Sequence, residues 1–227
     1  VSDGQPDKKI SSFLAERIAA GDFPSAVYLV GVGASAMLAD ALGDAVRTGS
    51  HKQRATLETI YDLASLTKPL VTGLLSARRI ESGELKLDES IARFLPEFDS
   101  ADKRSITLGQ LLTHTSGLPA WRPLYLTTEG ARERTLQAIA DERLESAPGT
   151  HVRYSDLGFI TLGVLLERQA GAPLADIARR ELFEPLQLKR TFFSPKRKRR
   201  PQRRAIFTNG RCRRRCRCLS RSTGASI

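Results

Sequence analysis

Sulfur is scarce in this sequence. It has one methionine and three cysteines in 227 residues, and Cys212, Cys216 and Cys218 all lie near the C-terminus. The rest of the chain therefore has no thiol nucleophile and no disulfide framework, and it gives no sign of redox compartment. Histidine is also rare. His51, His114 and His151 show no metal-ligand spacing, so neither a metal nor a cofactor is expected. No apolar run approaches the roughly 20 residues of a membrane-spanning helix. No signal peptide can be read at Val1, although a leader removed upstream would leave the same start. No internal repeat is found, and no acidic residue follows Glu184.

That last absence explains the charge. The net charge of +11 comes from 36 Lys and Arg against 25 Asp and Glu, and 13 of the cations lie between Lys196 and Arg221. Without them the body has 23 cations against 25 anions, a net of −2. The reading is a near-neutral globular body, residues 1–194, joined to a basic tail, residues 195–227. Apolar periodicity stops at Pro195. The tail's like charges repel and it has little to bury, so it is expected to be disordered. Its "PKRKRRPQRR" stretch fits a second reading, salt-sensitive binding to nucleic acid or another polyanion.

Hydrophobic residues make up 41% of the chain, enough for a core. Ile10, Phe13, Leu14, Arg17 and Ile18 form one helical stripe that Gly21 ends. "SAVYLVGVG" and "ASAMLADALG" read as a hairpin around Gly33, followed by a polar stretch from Arg47 to Glu58. A helix is expected from Leu66 to about Ser82. "GELKLDESIARFLPEF" reads as a turn, a short extended piece and a short helix. "SITLGQLLTHTSGLP" reads as a helix stopped by Gly117 and Pro119. Further helices are expected in "ARERTLQAIADERLES", in "YSDLGFITLGVLLERQAG" closed by Gly171, and in "APLADIARRELFEPLQL" closed by Pro185.

Within "YDLASLTKPLVTGLL", Ser65 and Lys68 stand three apart, so on a helix they share a face. A serine at the first turn sits among unpaired N–H groups that favour a developing oxyanion. A lysine beside it under apolar cover loses hydration, which lowers its pKa and fits it to move a proton. Pro69 is tolerated in a first turn, where its missing N–H has no partner to lose. Tyr154, in "APGTHVRYSDLGFITLG", supplies a phenol that a nearby lysine would push toward phenolate, a competent base. The bland alternatives are an N-cap serine, a solvated lysine and a core tyrosine. His114, in "THTSGL", reads as a structural residue rather than a base. Trp121 and Tyr125 read equally as cleft lining or as ordinary surface aromatics.

Together "ASLTKPLVTGLL", "GELKLDESIARFLPEF", "SITLGQLLTHTSGLP" and "APGTHVRYSDLGFITLGVLLE" resemble the serine beta-lactamase and penicillin-binding-protein-like superfamily. The likeness is to its class C beta-lactamase, D-alanyl-D-alanine carboxypeptidase and family VIII esterase branch, over roughly residues 7 to 194. The resemblance implies an α+β fold, an alpha/beta sandwich with an all-helical subdomain. It implies a serine hydrolase that cleaves an ester or amide, without metal or cofactor, in a small-molecule or peptidoglycan-like substrate. The location implied is the bacterial envelope or the cytoplasm. Ser65 would be the acylated nucleophile, Lys68 its proton relay, and Tyr154 the base for acylation and the acid for the leaving group. Asp156 stands where the Tyr-x-Asn motif has asparagine; its anion would hold the Lys68 ammonium charged. A rival alignment takes Ser155-Asp156-Leu157 as a Ser-Asp-Asn motif, against which leucine in the third place counts.

The same resemblance implies a later strand bearing Lys/His-Thr/Ser-Gly, and no such strand is legible. Arg221-Ser222-Thr223-Gly224 imitates the triplet but follows an arginine-rich run without strand pattern. The C-terminal sheet strands are therefore expected to be missing, with a shifted reading frame near codon 195 as the cause. The chain as written is expected to be impaired, and the hairpin to show an uncovered apolar face.

Overall fold

The computed structural model describes residues 4–48, 51–128 and 131–193. The expected basic tail lies outside the described residues, as does the Arg221–Gly224 triplet. The chain divides into two compact units that part between Asp62 and Leu63.

The first unit holds helix α1 (Lys8–Ala19) and three antiparallel strands, β1 (Ser25–Val32), β2 (Ser35–Thr48) and β3 (His51–Arg54), in the order β1-β2-β3. Asp7 caps α1, its carboxylate accepting from the Lys9 and Ile10 N–H groups. A polar cluster ties the helix to the strands. The Ser11 hydroxyl donates to Asp40 at 2.6 Å and lies 3.0 Å from the Tyr28 hydroxyl. Gly33, at φ +60°, makes the expected hairpin turn. β3 was not legible, because "HKQR" offers no apolar alternation and earns its strand by pairing with Asp44–Thr48. The expected stripe on α1 is only partly covered: Phe13 and Arg17 are exposed. Leu29, Val30, Val32 and Met37 are exposed on the hairpin, as the sequence suggested.

The second unit is helical. A single-turn 3-10 segment (Ala64–Leu66) leads into a wide π-helical stretch (Lys68–Gly73) and then α2 (Leu74–Glu81). Short turns at Ile91–Arg93 and Pro96–Phe98 precede α3 (Leu108–Leu112), α4 (Leu124–Thr127) and α5 (Arg132–Ala140). α6 (Asp156–Ala170), α7 (Leu174–Ala178) and a second π-helical stretch (Arg179–Phe183) complete it. Thr107 and Gln110 form a reciprocal capping box at the start of α3. That helix stops at Thr113 and not at Gly117, because His114 turns into the left-handed region at φ +59°.

α6 is the axle of this unit. Its Leu157, Leu162 and Leu165 join Phe98, Ile106, Leu111, Leu136 and Ile139 in the larger core. Its Leu166 joins Val71, Leu75, Ile177, Leu182 and Phe183 in a second cluster. Each such side chain contributes about 1.5–3 kcal/mol on burial. The Val71 and Leu75 contacts carry the Lys68 helical run onto α6, and that packing brings Lys68 to the segment opening α6.

Candidate active site

Four side chains far apart in sequence converge in the second unit. The Lys68 ammonium donates to Ser65 Oγ at 3.2 Å. The same Nζ lies 2.7 Å from Asp156 Oδ1 and 5.0 Å from the centre of the Tyr154 ring. Oδ1 is buried but has no aligned hydrogen bond, so the Lys68–Asp156 contact is an ion pair approached off the hydrogen-bonding direction. The Lys68 side chain is 15% exposed and that of Asp156 34%, while Tyr154 is half open to solvent.

Backbone geometry sets each of these. Ser65 lies in the 3-10 turn at the head of the Lys68 run, preceded by Ala64 at the unusual φ of +45°. Lys68 opens the π-helical stretch, with Pro69 in its first turn. Tyr154 and Asp156 flank Ser155, the N-cap of α6. Ser155 Oγ accepts from the Gly158 N–H and donates to the Pro119 carbonyl at 2.7 Å. Ser155 is fully buried in that role, which leaves the rival Ser-Asp-Asn alignment without a free serine. The Asp156 N–H donates to the Ala120 carbonyl at 2.7 Å. The neighbouring Trp121 and Tyr125 are exposed.

The electrostatics depart from one sequence expectation. Burial works to lower the Lys68 pKa, but hydrogen bonding and charge from Asp156, then Tyr154, outweigh it. The ammonium is held above the ordinary lysine value. Tyr154 moves the other way. Hydrogen bonding from Lys68, then from Ser65, holds the phenol below its usual value against the Asp156 charge. A protonated lysine beside an acidified phenol is an arrangement in which the phenol, not the amine, takes up a proton. His114 makes contacts the sequence did not announce: its ring stacks on Tyr154 at 4.7 Å and its Nδ1 accepts from the Ser155 N–H at 3.1 Å. Among the described residues no cluster of three His, Cys, Asp or Glu is placed to hold a metal, and no helix is long and apolar enough to cross a membrane.

A sequence model of the Beta-lactamase family matches residues 10–221. The chain belongs to that family. It is 30% identical over 205 residues to an N-acetylmuramyl-L-alanine amidase of Bacillus subtilis (strain 168), covering 83% of this chain and 46% of the amidase. Among solved structures it resembles "EstCE1, a hydrolase with promiscuous acyltransferase activity". That match has a TM-score of 0.70 at 30% identity and covers 79% of this chain and 51% of the other. A class C beta-lactamase matches with a TM-score of 0.71 at 23% identity, covering 82% of this chain and 50% of that one, and supports the fold. The chain spans about half the length of these relatives. The beta-lactamase-type α+β fold expected from sequence is thus the observed one, with three strands among the described residues.

Proposed function

We propose that this chain carries the acylation site of a serine hydrolase, with Ser65 as nucleophile, Tyr154 as general base and Lys68 as a fixed positive charge. One observation carries the reading: Lys68 Nζ stands within hydrogen-bond reach of Ser65 Oγ while lying over Tyr154 and against Asp156. In the reaction, Ser65 Oγ bonds to the carbonyl carbon of an ester or amide as its proton passes to the Tyr154 oxygen. The tetrahedral intermediate then expels the alcohol or amine, which takes the proton back from Tyr154. An acyl-Ser65 remains for water to hydrolyse. The Lys68 ammonium lowers the energy of the phenolate, and Asp156 keeps that ammonium charged. The amidase relative, by its name, favours a peptidoglycan-like amide; the esterase-like neighbour favours an ester.

The Ser65 N–H, in the first turn of its helical run, is positioned as one oxyanion donor. A second donor, expected on a strand bearing Lys/His-Thr/Ser-Gly, is not among the described residues. Loss of one donor slows acylation on the order of 100- to 1,000-fold, so stoichiometric labelling is a better assay than turnover. Incubation with a fluorophosphonate or a beta-lactam, read by intact mass, should give one adduct on Ser65, absent from Ser65→Ala. A folded wild-type chain that forms no adduct at long times overturns the proposal.

A further inference from the structure

We infer that His114 is a positioning residue for Tyr154, holding the segment on both sides of the phenol through its own carbonyl and its ring nitrogen. This rests on Tyr154 being the base of the proposed reaction. The His114 carbonyl accepts from the Arg153 N–H at 2.8 Å, and Nδ1 accepts from the Ser155 N–H at 3.1 Å. The two bonds bracket Tyr154 in the chain, and the imidazole also packs on the phenol ring at 4.7 Å, tilted by 35°. Phe159 backs the imidazole from the other side at 5.0 Å.

The backbone gives a second, independent sign that the side chain is needed. The end of α3 is a Schellman turn: the His114 N–H reaches the Leu111 carbonyl at 3.3 Å, and the Thr115 N–H reaches the Gln110 carbonyl at 2.8 Å. The residue after the cap of such a turn is left-handed, and glycine takes that place most readily because a Cβ is strained there. His114 occupies it at φ +59°. A histidine where local geometry prefers glycine is accounted for by what its ring does to the Tyr154 segment.

The clamp needs a neutral ring. Nδ1 accepts a proton from Ser155, so the ring's own proton belongs on Nε2. Protonation would place a second donor against the Ser155 N–H. The titratable groups facing the ring are Lys68 on one side and Tyr154 and Asp156 on the other. Arg153 turns its guanidinium away to Glu145. Burial, then the Lys68 charge, hold the imidazole below its ordinary pKa against the pull of Asp156. The clamp is therefore intact at neutral pH and opens as pH falls through that lowered value.

The test compares the full chain with His114→Gly and His114→Asn. Glycine relieves the left-handed strain, so His114→Gly should melt no lower than wild type while its clamp is gone. Tyr154 titration, followed as tyrosinate absorbance against a Tyr154→Phe control, should move to higher pH in His114→Gly. The rate of Ser65 labelling should fall by about 100-fold, the cost of a base misplaced by an ångström. Asparagine tolerates the left-handed region and offers an accepting oxygen, so His114→Asn should recover most of the rate and lose the histidine-controlled acid limb of its pH profile. A folded His114→Gly with wild-type Tyr154 titration overturns the inference. If wild type takes no label, the acylation reading fails and the Tyr154 titration alone decides the role of His114. Nitrogen-15 spectra of the wild-type imidazole give a check that needs no variant: a proton on Nδ1 at neutral pH also overturns the inference.

Discussion

Replacing Asp156 by asparagine removes one negative charge and almost no volume, which makes it the sharpest probe of the site. At the observed 2.7 Å, the attraction between Lys68 and Asp156 is about 1.5 kcal/mol in bulk water and about 6 kcal/mol at an effective dielectric near 20. The pair is partly open to solvent, so the lower part of that range applies. A value of about 2 kcal/mol corresponds to roughly a 30-fold loss of proton affinity at Lys68. Tyr154 responds in the same direction, because the Asp156 anion opposes its ionisation. The rate of Ser65 acylation should rise with pH as Tyr154 loses its proton and fall again as Lys68 loses its own. In Asp156→Asn both limbs therefore shift to lower pH. Labelling of Ser65 across pH, with intact-mass readout, measures the two limbs, and tyrosinate absorbance gives the first of them separately. An alkaline limb that stays in place, or moves to higher pH, would refute the claim that Asp156 fixes the lysine's charge.

Two further predictions concern the scaffold. Glu181 accepts from Arg79 at 2.9 Å and from Arg180 at 2.8 Å, and hydrogen bonding from Arg79 holds its carboxyl down to about 2, from an ordinary value of 4.5. Its contribution is complete above the unfolded-state value and is lost as pH falls through about 2. Glu181→Gln should cost on the order of 3 kcal/mol at neutral pH, with a gap in melting temperature that closes as the solution is acidified. Gly117→Ala should be more damaging than a surface change: φ is +79° and an added Cβ would lie 2.1 Å from the Ser146 carbonyl oxygen. A loss on the order of 3 kcal/mol or more in denaturant unfolding is expected, and wild-type unfolding would contradict it.

The helices of the second unit were legible because their signals are local. Alternation of apolar residues marked α6, and Gly171 at φ +60° ends it where glycine was expected to. The hairpin was legible from two apolar runs around Gly33. β3 was not, because its strand character lies in its partner and not in its own four polar residues. Of the site, Ser65 and Lys68 were legible from a three-residue spacing, and Tyr154 and Asp156 from motif context. The direction of the Lys68 pKa was only half legible. Burial alone argues one way, and the 2.7 Å contact that reverses it depends on how two helices pack. The His114 bond to Ser155, spanning 41 positions, left no local trace beyond a histidine next to a turn.

Backbone irregularity shows where the fold departs from what local preference would choose. Among the described residues, three non-glycine residues take positive φ: Ala64, His114 and Gln187. Each costs roughly 1–2 kcal/mol, which a fold retains only where surrounding contacts fix it. Ala64 directly precedes Ser65, and His114 brackets Tyr154. The π-helical stretch begins on Lys68 itself, widening the turn that carries the ammonium. Gln187 and the second π-helical stretch, at Arg179–Phe183, lie elsewhere in the unit, so irregularity alone does not mark a site. What sets the first group apart is that three separate departures bear on the serine, the amine and the phenol at once. Relaxing any one toward regular geometry would move a proton-handling atom relative to the other two. Strain at Ala64 and His114 therefore reads as the cost of holding that triangle, and a variant that relieves it should gain stability as it loses reactivity.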